Sequence, residues 1–411
     1  MENIKYNILI LTHQPFPNGL ALTNRIISYA KGLIINDSFV KVLIFKPTQR
    51  INNCSQNANC TGIYSDIPFE YTGKSTQIST NFINRRIQNF FSLARGMYLI
   101  FKENKKREVD AFIICSNSLI FESLIFLISK ILRIKLIKEE SEYPEIYFWK
   151  KGIINKIYKH LYINIIYKRY DGLLLITKSL INYFLKKKIK AHKMLHVPMT
   201  VEFDRFDRSY HRTIKDKYIA YSGSINKKKD GVDILIKAFA KISEKIFGLK
   251  LCLIGNIVEN FEDDFNSVLL SKMIKSEGLT DKVIITGYLS RLKLVEYIQN
   301  ATLLVMSRPH SIQSEGGFPT KLGEYLATGN PVVVTNVGEI SEYLTDGESA
   351  FICENNTVDV FAHKLEEALL NEKKSRAIGA NGRQIALEHF NYIKQAKSVI
   401  EFITKLKESE K

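Results

Sequence analysis

Apolar strand-like runs alternate with helical segments along both halves of this chain, and that alternation narrows the accessible folds more than any other feature. In the first half the runs are Ile8 to Thr12, Val40 to Phe45, Ala111 to Cys115, Lys135 to Lys138 and Gly172 to Thr177, with a helix from about Thr23 to Leu33. In the second half Leu249 to Gly255, Lys282 to Gly287 and Ala301 to Ser307 are short apolar strands that each end in a small residue. Such alternation predicts parallel sheets covered by helices on both faces, with ligands at the carboxyl ends of the strands. At 411 residues the chain exceeds what one hydrophobic core supports, so two domains of roughly 200 residues are expected.

One segment carries chemistry more clearly than the rest. From Ser314 to Thr335 a loop with a carboxylate, two glycines and a lysine runs into a helix bearing a second carboxylate, then into a buried strand. Gly316 and Gly317 let backbone approach a ligand, and Pro319 fixes the turn before a helix whose free N–H groups suit a diphosphate. Lys321 adds a point charge in the first turn, and Glu315 and Glu324 are left to accept hydrogen bonds from the hydroxyls of a sugar or ribose. Taken alone, the segment also fits a surface loop leading into an ordinary amphipathic helix.

From Lys321 onward the run resembles the C-terminal domain of the retaining glycosyltransferases of family 4, among the glycosyl transferases group 1, and the likeness extends along most of the chain. Upstream, Tyr218 to Phe239 looks like that family's strand, glycine turn, lysine and helix, with Gly223 and Lys229 in the diphosphate-contacting positions. The resemblance implies an α/β GT-B fold, two Rossmann-like domains facing a central cleft. Residues 1–199 would form the acceptor-side domain, 200–391 the nucleotide-sugar domain, and 392–411 a last helix that packs back on the first.

The implied activity is that of a retaining hexosyltransferase, moving a sugar from a nucleotide diphosphate to a carbohydrate or lipid-linked acceptor in cell-surface polysaccharide or glycolipid synthesis. Lys229, Lys321 and the backbone from Phe318 through Pro319 and Thr320 would stabilise the leaving diphosphate. Glu324 would hold the ribose and Glu315 would orient the sugar, while side chains around Gly287, Ser307 and Glu315 would select base and sugar. The chain departs from the family twice. Glu315 and Glu324 stand one residue further apart than the family's pair, which leaves Gly316 where the first carboxylate is expected, and Ser224 replaces the arginine common after the glycine turn.

In the first half, the loop from His13 to Arg25 looks like the family's glycine-containing loop that reaches toward donor phosphate and acceptor, with Gly19 and Arg25 as its candidates. Arg25 equally fits a helix start capped by Thr23 or Asn24. Glu139 to Glu145 is an acidic cluster at the end of another strand, where mutual repulsion is expected to raise some carboxylate pKa values. Glu142 is the first candidate to face the acceptor hydroxyl and Glu140 the second; a solvated acidic turn is the alternative. His13 has the type of a catalytic base but is read as structural.

Five cysteines, with no metal-ligand spacing, predict reduced thiols and a cytoplasmic protein, and the polar start before Asn7 lacks a secretory signal, so Asn53-Cys54-Ser55 carries no meaning as a glycosylation site. Ala111 to Leu132 is apolar enough to suggest a membrane span, but Asn117 and Glu122 interrupt it, and strand, turn and helix are expected. The net charge of +17 calls for an anionic partner. Basic and aromatic residues concentrate in Asn84 to Lys106 and in Tyr147 to Tyr170, which fits peripheral attachment at the anionic inner face of the cell membrane as well as it fits solvated basic helices. No nucleic-acid-binding signature is present.

Neither a dinucleotide fingerprint nor a P-loop occurs. The Asp-x-Asp metal motif of the other glycosyltransferase fold is missing too, and Glu262-Asp263-Asp264 reads as an exposed acidic segment. No metal or cofactor is expected beyond the nucleotide sugar as substrate. A sugar-nucleotide epimerase of the same architecture and a non-catalytic scaffold remain as alternatives.

Overall fold

The computed structural model describes residues 5–50, 57–148, 152–208, 213–257 and 266–408. Trp149, Lys150 and Lys151 of the second basic-aromatic stretch, Glu262-Asp263-Asp264, and Asn53-Cys54-Ser55 lie outside the described residues. The chain divides into two compact units, Met1–Thr200 with Tyr392–Lys411, and Val201–Asn391.

The first unit is built on strands β1 (Tyr6–Thr12), β2 (Ser38–Ile44), β3 (Thr61–Tyr64), β4 (Ile67–Tyr71), β5 (Ala111–Cys115), β6 (Lys135–Glu140), β7 (Gly172–Leu175) and β8 (Met194–His196). They pair in the order β3-β4-β2-β1-β5-β6-β7-β8, all parallel except the β3–β4 hairpin at one edge. The central strands are buried on both faces, as continuous apolar runs such as Ile8 to Leu11 and Phe112 to Ile114 require.

Helix α1 (Ala21–Ile35) returns the chain from β1 to β2. Helices α2 (Phe82–Arg107), α3 (Leu119–Leu132) and α4 (Ile153–Leu161) accompany crossovers that step the other way along the sheet. Because such crossovers are right-handed, these three cover the opposite face from α1. The C-terminal helix Tyr392–Glu408 joins α1 on its side: a Cβ at Gly32 would stand 2.7 Å from the Ala396 Cβ, so only glycine admits this approach. On the other face the Phe45 ring lies 4.7 Å from Phe121 of α3 and also meets α2 at Gly96.

Ala111 to Leu132 resolves into β5 and α3, and no described helix is long and apolar enough to cross a membrane. Glu122, the residue that interrupts this stretch, is buried against Lys138 at 3.3 Å and accepts from the Tyr162 and Tyr170 hydroxyls. Three elements differ from expectation. The β3–β4 hairpin turns on Ser65 and Asp66, both at positive φ, a two-residue turn with no glycine to announce it. Strand β8 is three residues long and carries little periodicity. Helix α1 begins at Ala21, two residues before Thr23, so neither Thr23 nor Asn24 is its cap.

The second unit is a six-stranded parallel sheet of β9 (Tyr218–Ser222), β10 (Lys250–Ile254), β11 (Val283–Gly287), β12 (Leu303–Met306), β13 (Val332–Thr335) and β14 (Phe351–Cys353). The order β11-β10-β9-β12-β13-β14 reverses direction between β9 and β12. A doubly wound sheet opens its ligand crevice at the carboxyl ends of the strands flanking that reversal. The three residues of β14 escaped the sequence reading for the same reason as β8.

Candidate functional site

The reversal point brings the end of β9, Ser222-Gly223-Ser224, beside the end of β12, Met306-Ser307-Arg308. Gly223 has φ 141°, and a Cβ there would lie 2.5 Å from the Lys321 Nζ, so the missing side chain is what admits the ammonium. Lys321 is the second residue of helix Thr320–Thr328, which starts at Pro319 without a side-chain cap. Its Nζ donates to Asp230 Oδ1 at 3.0 Å and to the Tyr221 hydroxyl at 3.0 Å, and sits 4.4 Å from the centre of the Tyr221 ring. Tyr221 in turn donates to the Ser224 carbonyl at 2.7 Å.

Asp230 ends the short helix Lys227–Asp230, whose cap Asn226 accepts from the Lys229 amide at 2.8 Å. Burial, then the nearby cations Arg308 and Lys229, push the Lys321 pKa down, with Asp230 opposing them. For Asp230 burial acts upward, but Lys321, Arg308 and Lys229 outweigh it and hold the carboxyl below its usual range. Three cations thus surround one carboxylate at the mouth of the crevice. This surplus of positive charge suits a dianionic ligand group.

Several expected site residues take different places. Ser307 is fully buried and its hydroxyl donates to the Gly231 carbonyl at 2.8 Å. It is a strut beneath Asp230, and the expectation that it touches the donor is corrected accordingly. Residues Ile312–Gly316 form a helical turn closed by a Ser311–Ser314 capping box, where the sequence reading had a loop. Glu315 lies exposed on that turn, and neither Gly316 nor Gly317 adopts the positive φ that would demand glycine. The Phe318 ring is core, 5.6 Å from both Tyr343 and Phe390, so only its backbone is free to face a ligand.

Glu324 lies three residues after Lys321 on the same helix and is held by Arg205 Nη1 at 2.6 Å. Gly287 ends β11 at φ 67°, bridged to Gly255 at the end of β10. Four contributors were missed. Arg308 follows a strand end directly, and Asp230 stands before a glycine, so both had a signal. Arg205 and Tyr221 had none, since their roles come from contacts distant in sequence.

The first unit holds its candidates at the carboxyl ends of β1 and β6. The β1–α1 loop is pinned: the Phe16 amide donates to the Tyr71 hydroxyl at 3.1 Å, and Asn18 and Asn57 bond reciprocally at 2.9 and 2.8 Å. Gly19 sits in it over Thr23, whose hydroxyl donates to the Pro15 carbonyl at 2.7 Å. Arg25 is a correction. It is 3% exposed, with Nε on Glu139 Oε1 at 2.6 Å, Nη1 on the Pro198 carbonyl at 2.9 Å and Nη2 on the Val197 carbonyl at 2.7 Å. Each of its three guanidinium nitrogens donates within the core, so it clamps α1 to β6.

The acidic cluster is also redistributed. Glu139 and Glu140 belong to β6 itself and are buried, while Glu142 is half-buried past the strand end. Glu140 has its pKa pushed up to about 7, mainly by burial and only secondarily by Glu139, against the pull of Lys138 and of the Tyr167 and Tyr147 hydroxyls that it accepts. Mutual repulsion, the expected cause, is the smaller one. His13 stacks on Phe121 at 4.5 Å and bonds Ser116 Oγ through Nδ1 at 2.8 Å. Burial, with Lys46 and Lys138 nearby, lowers its pKa to about 3, which makes it a weak base.

The model of the glycosyl transferases group 1 family matches residues 202–385, nearly the whole second unit. The chain is 27% identical over 193 residues to the capsular polysaccharide biosynthesis glycosyltransferase CapM of Staphylococcus aureus, covering 45% of this chain and 47% of that protein. The chain thus spans about half the length of this curated relative. Among solved structures, sucrose-phosphate synthase from Thermosynechococcus elongatus superposes with a TM-score of 0.73 at 14% identity, over 98% of this chain and 100% of that one. Anabaena Alr3699/HepE in complex with UDP-glucose superposes with a TM-score of 0.68 at 15% identity, over 97% and 99%. At these identities the likeness establishes the fold, which is GT-B.

Proposed function

We propose that this protein, whose residues 202–385 match the model of the glycosyl transferases group 1 family, moves a sugar from a nucleotide diphosphate to a hydroxyl of a carbohydrate or lipid-linked acceptor. We place that reaction in the synthesis of a cell-surface polysaccharide or glycolipid, at the inner face of the membrane if the acceptor is lipid-linked. The observation that carries the reading is the surplus of cations, Lys321, Arg308 and Lys229 around Asp230, at the reversal point of the second sheet.

As the bond from C1 to the diphosphate breaks, negative charge grows on the leaving oxygens, and Lys321 with the first N–H groups of its helix is placed to meet it. Arg308 supplies the charge that the family draws from the arginine replaced here by Ser224. Glu324, held in place by Arg205, is positioned to accept from the ribose hydroxyls, and Glu315 from the sugar. Transfer proceeds with retention. The acceptor oxygen bonds to C1 on the face the diphosphate leaves, its proton passes to a leaving phosphate oxygen, and no metal takes part. Glu142, past the carboxyl end of β6 in the first unit, faces the acceptor and accepts from a hydroxyl next to the one that reacts, which orients the acceptor without taking the transferred proton.

The test uses thermal shift with UDP-, GDP- and dTDP-sugars, followed by transfer assays and anomeric assignment of the product by NMR. Lys321→Ala alone takes from the buried Asp230 its direct ion-pair partner, so it is combined with Asp230→Asn to keep the fold. The double variant should melt near the wild type yet lose turnover by about 10²–10³-fold. A wild type that no nucleotide sugar stabilises would overturn the reading, and conversion of the donor without acceptor would mark an epimerase.

A further inference from the structure

We propose that the outward face of α2 is a docking surface that seats the first unit on an anionic lipid bilayer. Helix α2 has a buried face and an exposed apolar one. The inner one buries Ser92, Gly96, Leu99, Ile100 and Glu103 against the sheet. On the opposite side Ile83, Ile87, Phe90, Phe91, Tyr98 and Phe101 stand at intervals of three, four and seven that align them as a single helical stripe, and each is between 44% and 67% exposed. From Phe82 to Phe91 no residue is buried, so about three turns project beyond the body of the unit.

Single exposed apolar side chains are ordinary on a folded protein. A continuous aromatic and aliphatic stripe about 27 Å long is not, and it marks a surface that is covered in use. The same face of the sheet extends the apolar area through Ile120 and Ile131 of α3 and Ile153 and Ile157 of α4, all exposed.

Charge selects the occupant. Within α2, Arg85, Arg86, Arg95, Lys102, Lys105, Lys106 and Arg107 face one acid, Glu103, which is buried and paired with Lys41 at 2.9 Å. Arg86 and Lys102 fall at the two edges of the stripe, where long basic side chains reach phosphates while the stripe lies among acyl chains. A second copy of a chain carrying +17 would bring like charge to like charge. An anionic bilayer offers apolar depth and negative headgroups together. This inference stands on the two faces of α2 and does not require the transferase reading.

The test is co-sedimentation of the full-length protein with vesicles of phosphatidylcholine alone or mixed with phosphatidylglycerol. The wild type should bind the mixed vesicles, bind phosphatidylcholine less, and detach as salt rises. Phe90→Ser with Phe91→Ser should weaken binding about tenfold or more, and Arg85→Glu with Arg86→Glu should remove the preference for anionic lipid. Both variants should keep the wild-type melting temperature, because all four side chains are exposed. The proposal is overturned if the wild type ignores mixed vesicles, if the Phe90/Phe91 variant binds them as tightly, or if that variant instead dissolves a dimer formed without lipid. Thermal shift by a nucleotide sugar, read on the same variants, reports separately on the transferase site.

Discussion

Lys321 and Glu140 are displaced in opposite directions by the same force, the loss of water around a charge. For Lys321 the deficit is partly met by Asp230, and the surrounding cations keep the pair short of negative charge. Glu140 has only hydroxyl donors and Lys138 to offset burial, so it sits near neutrality with a pKa raised from 4.5 to about 7. Its carboxyl therefore takes up protons on folding between those values, and stability tied to it is lost as pH rises through about 7. Glu140→Gln should gain on the wild type by up to about 3 kcal/mol between about pH 5 and pH 8, the gain building up as pH rises towards about 7 and levelling off above it. Urea melts at both pH values check this, and parallel curves would refute it. Glu140 was the second acidic candidate in the sequence because spacing shows neighbours along the chain, whereas burial depends on what the fold stacks above β6.

At the scale of elements, strands were legible where apolar runs end abruptly. Strand β5 occupies Ala111–Cys115, the limits read from the sequence, and Ile8 to Thr12 falls within β1. Short or turn-dependent pieces were not: β8 and β14 are too brief for periodicity, and Ile312–Gly316 became helical through a serine capping box inside a glycine-rich context. Helix packing was equally hidden. Gly32 meets Ala396 and the Tyr392 carbonyl so closely that Gly32→Leu must push α1 away from the C-terminal helix. The expected cost is about 1–3 kcal/mol or more, read as a lower urea midpoint at unchanged slope. The variant should leave the second unit's response to nucleotide sugars intact.

At the scale of the whole molecule, the first unit is discontinuous, closed by a helix that comes after the entire second unit. That helix buries Ala396, Val399, Ile400, Phe402, Ile403 and Leu406 in the core shared with α1. At roughly 1.5–3 kcal/mol per large apolar side chain, its removal approaches the whole stability of a domain, about 5–15 kcal/mol. A chain truncated after Asn391 should lose the calorimetric transition of the first unit and keep that of the second. Retention of both transitions would show the helix to be dispensable.

The α/β class, the strand end that carries Gly223 and the helix that carries Lys321 and Glu324 after Pro319 are legible in the chain, because they follow from local periodicity and from contiguous motifs. Which polar and charged residues are committed to the core, and which meet at the crevice, depends on the folded neighbours. Arg25 and Ser307 went to the core, while Asp230 and Arg308 joined Lys321, although Ser307 and Arg308 are neighbours after the same strand, β12. The physical reason is that desolvation and hydrogen-bond geometry are set by neighbours far apart in sequence, and no local pattern records them.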